Sequence, residues 1–291
     1  MKKFISLLLA AAMLLAFAAC GSKSNDDSAT PTPDASAPAA DAGTAAPDDS
    51  AEPDTAESDL DYIKTKGTLI VGITDFAPMD YRNDNGEWVG FDADMARAFG
   101  ESLGVNVEFV EIIWDNKVLE LNSKTIDCVW NGMTLTDEVT SAMECSEPYC
   151  NNAQVVIVPA DKAADYQTVE SLDGLVFAVE AGSAGQAEVE ALGAEFTPVS
   201  AQSDALMEVA AGTSDAAVID ALMAAAMVGE GSGYANLTYT VGLNSEEYGV
   251  GFRKGSDAAA AFNDFFAAAC ADGTAEKIAE TYGVQAALIS R

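Results

Sequence analysis

From about residue 60 onward, short unbroken apolar runs alternate with longer stretches whose apolar positions recur every three to four residues. TLIVGI (Thr68 to Ile73) has the pattern of a strand buried on both faces. FDADMARAFGESLG has the pattern of an amphipathic helix, and Gly104 marks its end. VNVEFVEI, a short helix around Lys117 to Leu121, the strand IDCVW (Ile126 to Trp130) and a helix opening near Thr136 continue the series. QVVIVP (Gln154 to Pro159) adds a strand, and then the rhythm restarts. LVFAV, a helix from Ser183 through about Leu192, EFTPV, a helix over Asp204 to Ala211 and DAAVI form a second unit. EEYGVGFRKG gives one more strand, and helices over Asp257 to Ala271 and Gly273 to Tyr282 close the chain. This alternation predicts an α/β fold with a mixed, mostly parallel sheet covered by helices, and its repetition predicts two lobes.

The first 58 residues follow different rules. MKKFISLLLAAAMLLAFAAC places Lys2 and Lys3 before an apolar stretch from Phe4 to Ala19 and small residues before Cys20, which describes a secretory signal. AFAAC followed by Gly21 resembles the lipobox of bacterial lipoproteins, with Phe17 where leucine is usual. That resemblance implies an acylated Cys20 at a new N-terminus, and two or three acyl chains on one residue suffice for stable anchoring. An ordinary cleaved signal with an incidental cysteine is the alternative. Residues 21–58 are rich in Ala, Pro, Ser, Thr and Asp without apolar periodicity. They are expected to form a disordered tether with an end-to-end distance of roughly 35 Å. No second apolar stretch approaches the ~18 residues that a spanning helix needs.

Composition narrows the chemistry. Of the 291 residues 49% are hydrophobic, enough for a large core, and the formal net charge of −33 argues against nucleic acid as a partner. The absence of histidine excludes His-based triads and His-containing zinc sites. Besides Cys20 there are Cys128, Cys145, Cys150 and Cys270, with no CxxC pair. Export permits a Cys145–Cys150 bridge, but spacing alone does not establish it. No cofactor and no metal is expected.

In open α/β sheets ligands sit beyond the carboxyl ends of strands, where loop amides and helix N-termini point into a crevice. TLIVGI leads to Asp75 and Phe76, the second strand to Trp114, and IDCVW to NGMTLT with Gly132 and Thr134. In the second unit LVFAV leads to Glu180 and GSAG with Ser183 and Ala184, and DAAVI leads to Asp220. Aromatic faces, hydroxyls, amides and carboxylates together suit a small polar molecule carrying an amine. Each residue also has a structural explanation: Thr136 fits a helix N-cap, Phe76 and Trp114 fit core positions, and GSAG fits a strand-to-helix turn.

GTLIVGITDFAPMDY, NGEWVGFDADMARAFGESLGV, WDNKVLELNSKTIDCVWNGMTLT, SEPY and VEAGSAG, in that order, resemble the family 3 solute-binding proteins of bacterial polar amino-acid ABC transporters. The resemblance spans residues 60 to 291. Ala93 in GFDADM departs from the larger apolar residue usual there. The resemblance implies a periplasmic-binding-protein-like fold, two α/β lobes joined by a two-strand hinge and closing on ligand. The lobes would be 60–152 plus 248–291, and 153–247, with QVVIVP and the region near Glu247 to Phe252 as the crossings. By the same resemblance Phe76 and Trp114 would sandwich the ligand. Gly132, Thr134, Ser183 and Ala184 would bind its α-carboxylate, Asp220 would accept from its ammonium, and Asp75 and Glu180 would reach its distal part.

One position fails the pattern. The family places an arginine three residues after the second threonine to grip the α-carboxylate, and here that residue is Val139. Losing such a contact without compensation costs roughly 10- to 150-fold in affinity. Either the amides at Ser183 and the loops hold the carboxylate alone, or the ligand is an amine or other cation without one, drawn by Asp75, Glu180, Asp220 and aromatic faces. None of Arg82, Arg97, Arg253 or Lys124 falls at a family ligand position.

The expected function is a monomeric, lipid-anchored, extracytoplasmic binding protein, not an enzyme, that delivers a small polar solute to an ABC permease in the membrane. A dehydratase-like enzyme using carboxylates such as Asp75 and Glu180, or a sensor on the same fold, is the rival.

Overall fold

The computed structural model describes residues 58–289 and Arg291. The signal segment, Cys20 and the tether as far as residue 57 lie outside them. Among the described residues no helix is long and apolar enough to cross a membrane.

The first series runs α1 (Asp59–Lys66), β1 (Thr68–Ile73), β2 (Tyr81–Arg82), β3 (Trp88–Val89), α2 (Phe91–Leu103), β4 (Asn106–Glu111), α3 (Lys117–Asn122), β5 (Cys128–Thr134), α4 (Asp137–Ala142), β6 (Glu144–Cys145) and β7 (Cys150–Asn152). The second runs β8 (Gln154–Pro159), β9 (Val176–Glu180), α5 (Ala184–Leu192), β10 (Glu195–Val199), α6 (Gln202–Ala211), β11 (Ala216–Asp220), α7 (Ala221–Met227) and β12 (Leu237–Gly242). The chain returns to the first sheet with β13 (Glu246–Phe252) and ends in α8 (Ala258–Ala271) and α9 (Thr274–Tyr282).

Two large sheets result, ordered β4-β1-β5-β13-β6 with β7 also on β13, and β10-β9-β11-β8-β12, while β2 and β3 pair with each other in a separate two-stranded sheet. Both large sheets have the same heart. The first parallel strand of the series, β1 or β9, lies between the second and the third. A returning strand, β13 or β8, then pairs antiparallel with the third. Parallel pairing is confined to these three strands in each sheet, so the sheets are more evenly mixed than the βαβ rhythm predicts. The chain passes between the sheets at Ala153 and over residues 243–245, and QVVIVP itself lies wholly inside the second sheet.

Period-two alternation divides each core into two faces. In the first sheet Trp130 points toward α2 and α8, where it meets Phe262 at 4.9 Å edge to face, with Phe99 and Phe266 in the same cluster. Val129 and Met133 point the other way, toward Leu121, Val139 and Met143 of the α3 and α4 side. In the second sheet Val156, Val158, Phe177 and Val218 pack beneath Val189 of α5. Val155, Ile157, Ala217 and Ile219 belong to the opposite face, with Leu206 and Val209 of α6. The run QVVIVP is buried from Gln154 to Val158 because helices cover both sides.

The strand predicted as IDCVW extends to Thr134, because β13 supplies antiparallel partners at Met133 and Thr134. GMT is therefore strand, and the chain leaves the sheet only at Leu135. Thr136 is the N-cap of α4, accepting from the Val139 amide at 3.2 Å. Cys145 and Cys150 are both free thiols.

Candidate functional site

With the first strand of each heart lying between the other two, the connections after β1 diverge to opposite sides of it, and likewise after β9. A crevice opens at the carboxyl ends of these strands. The two crevices face each other across a shared cavity of about 380 Å³. Its walls include Phe76, Trp114, Gly132, Thr134 and Val139 from the first lobe and Glu180, Ser183, Ala184 and Asp220 from the second. Of the ligand positions implied by resemblance, Asp75 alone does not line it, and the residue as a whole is exposed. Burial of its surroundings and the nearby Glu111 carboxylate raise the Asp75 pKa.

The first-lobe wall is braced from behind. Gly132 has φ +55, and a Cβ there would run into the Phe76 ring, so the aromatic wall lies directly on bare backbone. The Gly132 amide donates to Asp92 at 2.7 Å, and Tyr149 donates to the same Asp92 oxygen at 2.7 Å. Burial pushes Asp92 up to about 7. Burial, and after it the Asp92 charge, holds neighbouring Asp80 well above the usual carboxylate range. Asp80 accepts from Asn131 at 2.8 Å, and Asn131 in turn accepts from the Thr74 amide and hydroxyl at 2.8 and 2.6 Å. A buried polar chain thus fixes the ends of β1 and β5 relative to one another.

Asp220 lines the floor and shares donors with Glu246, which is not itself part of the lining. Asn152 donates to Asp220 at 2.7 Å and to Glu246 at 2.6 Å, and Gln154 donates to both, to Glu246 at 2.8 Å. Gln202 donates to the other Asp220 oxygen at 2.6 Å and accepts from the Asp220 amide at 2.9 Å. The Thr134 hydroxyl donates to Glu246 at 3.0 Å, which leaves its lone pairs facing the cavity. Burial first, and the Glu246 carboxyl second, hold Asp220 well above the normal range. Because Asn152 and Glu246 stand at the two crossings between lobes, the floor of the cleft is also its pivot.

The second-lobe wall is the turn from β9 into α5. Ser183 caps α5 by accepting from the Gln186 amide at 3.1 Å, and its own amide donates to the Glu180 carbonyl at 3.2 Å. The amides of Ala184 and Gly185 begin the helix and have no intrahelical acceptor. Glu180 is 4% exposed, and its Oε1 has no partner among the described residues. Burial raises its pKa to about 8 against the opposing pull of Lys117.

Lys117 is the cation that sequence reasoning missed. It begins α3, three residues after Trp114, and its Nζ lies 4.8 Å from the Trp114 ring centroid. The ammonium donates to the Trp114 carbonyl at 3.3 Å and, across the cleft, to the Gly182 carbonyl at 2.9 Å. The i, i+3 spacing from an aromatic site residue is the one signal that could have pointed to it. Gln154, Gln202 and Glu246 were likewise not anticipated. Each opens a strand or helix, a place where a sequence gives little reason to expect a buried polar side chain.

The family model described as bacterial extracellular solute-binding proteins, family 3, matches residues 69–285. The chain belongs to this family. Among its relatives, the L-cystine-binding protein TcyJ of Escherichia coli K12 is 27% identical over 227 residues, 77% of this chain and 85% of that one. The cyclohexadienyl dehydratase of Pseudomonas aeruginosa is 33% identical over 118 residues, covering 40% of this family 3 chain and 44% of the enzyme. A crystal structure of a mutant ArgBP from T. maritima superposes with TM-score 0.73 at 32% identity, over 77% of this chain and 99% of that one. The two-lobed α/β architecture is thus the family fold.

Proposed function

We propose that this family 3 chain is the substrate-binding lipoprotein of an ABC importer. Anchored through Cys20, it captures an amino acid or amino-acid-like polar solute between its lobes outside the cytoplasm and delivers it to the permease. The observation that carries the reading is the cavity where both strand-end crevices meet, with Asp220, Gln154 and Gln202 on its floor and Phe76 and Trp114 on its walls. An ammonium entering there meets the Asp220 carboxyl, whose pKa burial holds well above the normal range. It would draw Asp220 into its ionised form through a charge-assisted hydrogen bond. Contacts to both lobes make the closed state the one ligand stabilises.

A second reading, a solute with an ammonium but no carboxylate, draws on Val139. Its side chain lines the cavity where an arginine would sit, and the acids Asp115, Asp137, Glu138 and Glu190 surround the mouth.

Titration calorimetry separates the two. With the proteinogenic α-amino acids, L-cystine and the corresponding decarboxylated amines as probes, the first reading expects saturable one-to-one binding of at least one amino acid. Asp220→Asn is expected to weaken it about 10- to 150-fold, the range for hydrogen bonds to charged groups. Binding of amines alone supports the second reading, and no binding by any probe sinks both.

A further inference from the structure

Lys117 is 8% exposed, and among the described residues no carboxylate oxygen lies within 4.0 Å of its ammonium. Its two hydrogen bonds go to backbone carbonyls, Trp114 and Gly182, which leaves one N–H without a protein partner. Buried charges are ordinarily paired, and Glu180, the acid whose charge acts most on Lys117, is itself pushed up to about 8 by burial, so at neutral pH this arrangement is a cation waiting for an anion. The acids at the cleft mouth do not fill the role: Asp115, Asp137, Glu138 and Glu190 are exposed and solvated.

The carbonyl that Lys117 grips belongs to the turn that starts α5. Two residues further on Ala184, which lines the cavity, begins a nine-residue helix, so its free amide stands at the helix's positive end with that of buried Gly185 behind it. An ammonium and a helix N-terminus therefore converge on one side of the cavity, while the acceptor Asp220 occupies its floor. That polarity, donors on one side and acceptors on another, complements an α-amino acid zwitterion better than a simple amine.

We propose that Lys117, with the α5 amides, receives the ligand's carboxylate and so replaces the guanidinium absent at Val139. The inference rests on the reading of the cleft as an amino-acid site. It makes Lys117 a specificity-determining residue, because the charge that distinguishes an amino acid from its decarboxylated amine is the charge Lys117 meets. Val139 and Lys117 line the same cavity from α4 and α3, so a cation supplied from either helix can face one anion.

The test uses the tightest-binding probe among the proteinogenic α-amino acids and L-cystine, and the amine formed by removing its carboxyl group: agmatine for L-arginine, cystamine for L-cystine. Calorimetry on wild type, Lys117→Met, Lys117→Arg and the double variant Lys117→Met with Val139→Arg reads the outcome, with circular dichroism checking the fold of each. Lys117→Met is expected to weaken the amino acid about 10- to 150-fold and to change the amine by less than about threefold. Lys117→Arg is expected to retain most of the affinity, and Val139→Arg to restore part of what Lys117→Met loses. Equal losses for amino acid and amine would reduce Lys117 to a contact between lobes and overturn the inference, as would unchanged amino-acid affinity. If wild type binds no amino acid, the reading of the cleft itself fails; if wild type and Lys117→Met bind one alike, only the role of Lys117 does.

Discussion

Single residues decide what the cleft accepts, and the most consequential are buried acids. Glu180, at about 8 in the folded chain, holds a proton that the unfolded chain releases near 4.5. The sign follows from linkage: its contribution to stability is fully present below about 4.5 and is lost as pH rises through about 8. Glu180→Gln keeps the site neutral at every pH. The wild type is therefore expected to lose about 3 kcal/mol more stability than this variant between pH 5 and pH 8, each pKa unit corresponding to ~1.4 kcal/mol. Urea midpoints at the two pH values measure it, and parallel curves for the two proteins would show that Glu180 is ionised in the fold. The Thr136 cap was readable in the sequence, because a threonine just before a helical pattern has the usual N-cap chemistry, and Gly132 and Thr134 were readable as cavity positions although they extend β5 rather than follow it. Lys117 and Glu246 were not, since in sequence each looks like a charged residue on the solvated face of a helix or strand. Only the approach of α3 to the β9–α5 turn, and of β13 to β7, buries them.

Elements show the same division between local and distant causes. Strands β1, β5, β8, β9 and β11 were legible because burial on both faces writes an unbroken apolar run. Helices α2, α5, α6, α8 and α9 were legible from periodicity and end signals. Helix α1 and strand β12 went unread for opposite reasons. Strand β12 lies at a sheet edge, with Tyr239 57% exposed, so its apolar signal is diluted. Helix α1 buries only Ile63 and depends on what its ends meet. Ser58 caps it, and Asp59 accepts from Arg253 at 2.6 Å while the same guanidinium reaches fully buried Asp127 at 3.2 Å. Removing one partner of a buried pair costs about 3–5 kcal/mol, but Lys66 remains on Asp127 at 2.5 Å and softens the loss. Arg253→Met is accordingly expected to cost about 2–3 kcal/mol in urea unfolding and to speed amide exchange over residues 59–66 selectively. A loss below about 0.5 kcal/mol would mean that α1 is held by its packing alone.

At the scale of the whole molecule, two copies of one strand order face each other across the cleft. Repetition of the βαβ rhythm made the two lobes legible, whereas the surfaces that touch were not, because they are made by loop backbone. Gly182, with φ +71, brings the second lobe against Asp115: a Cβ there would lie 2.7 Å from the Asp115 carboxylate and 3.0 Å from its Cα. The same residue's carbonyl receives Lys117. Closure therefore requires a bare backbone at this position. Gly182→Ala carries two costs of different kind. The left-handed backbone strains alanine by about 1 kcal/mol whether the lobes are open or closed, and this lowers thermal stability without touching affinity. The clash with Asp115 exists only when the lobes are together, so it shifts the population away from the state that binds, and apparent affinity falls by the fraction of competent state lost. A penalty near 1.4 kcal/mol for the closed form corresponds to about tenfold weaker binding. The double variant Gly182→Ala with Asp115→Gly removes the carboxylate and Cβ contacts but keeps the Cα at 3.0 Å, so it should recover part of the affinity while leaving the thermal deficit in place. Small-angle scattering with and without saturating amino acid follows the same shift, with the wild type contracting at lower ligand concentration than Gly182→Ala. Equal affinities for wild type and Gly182→Ala would show that ligand is bound without the lobes meeting at Gly182.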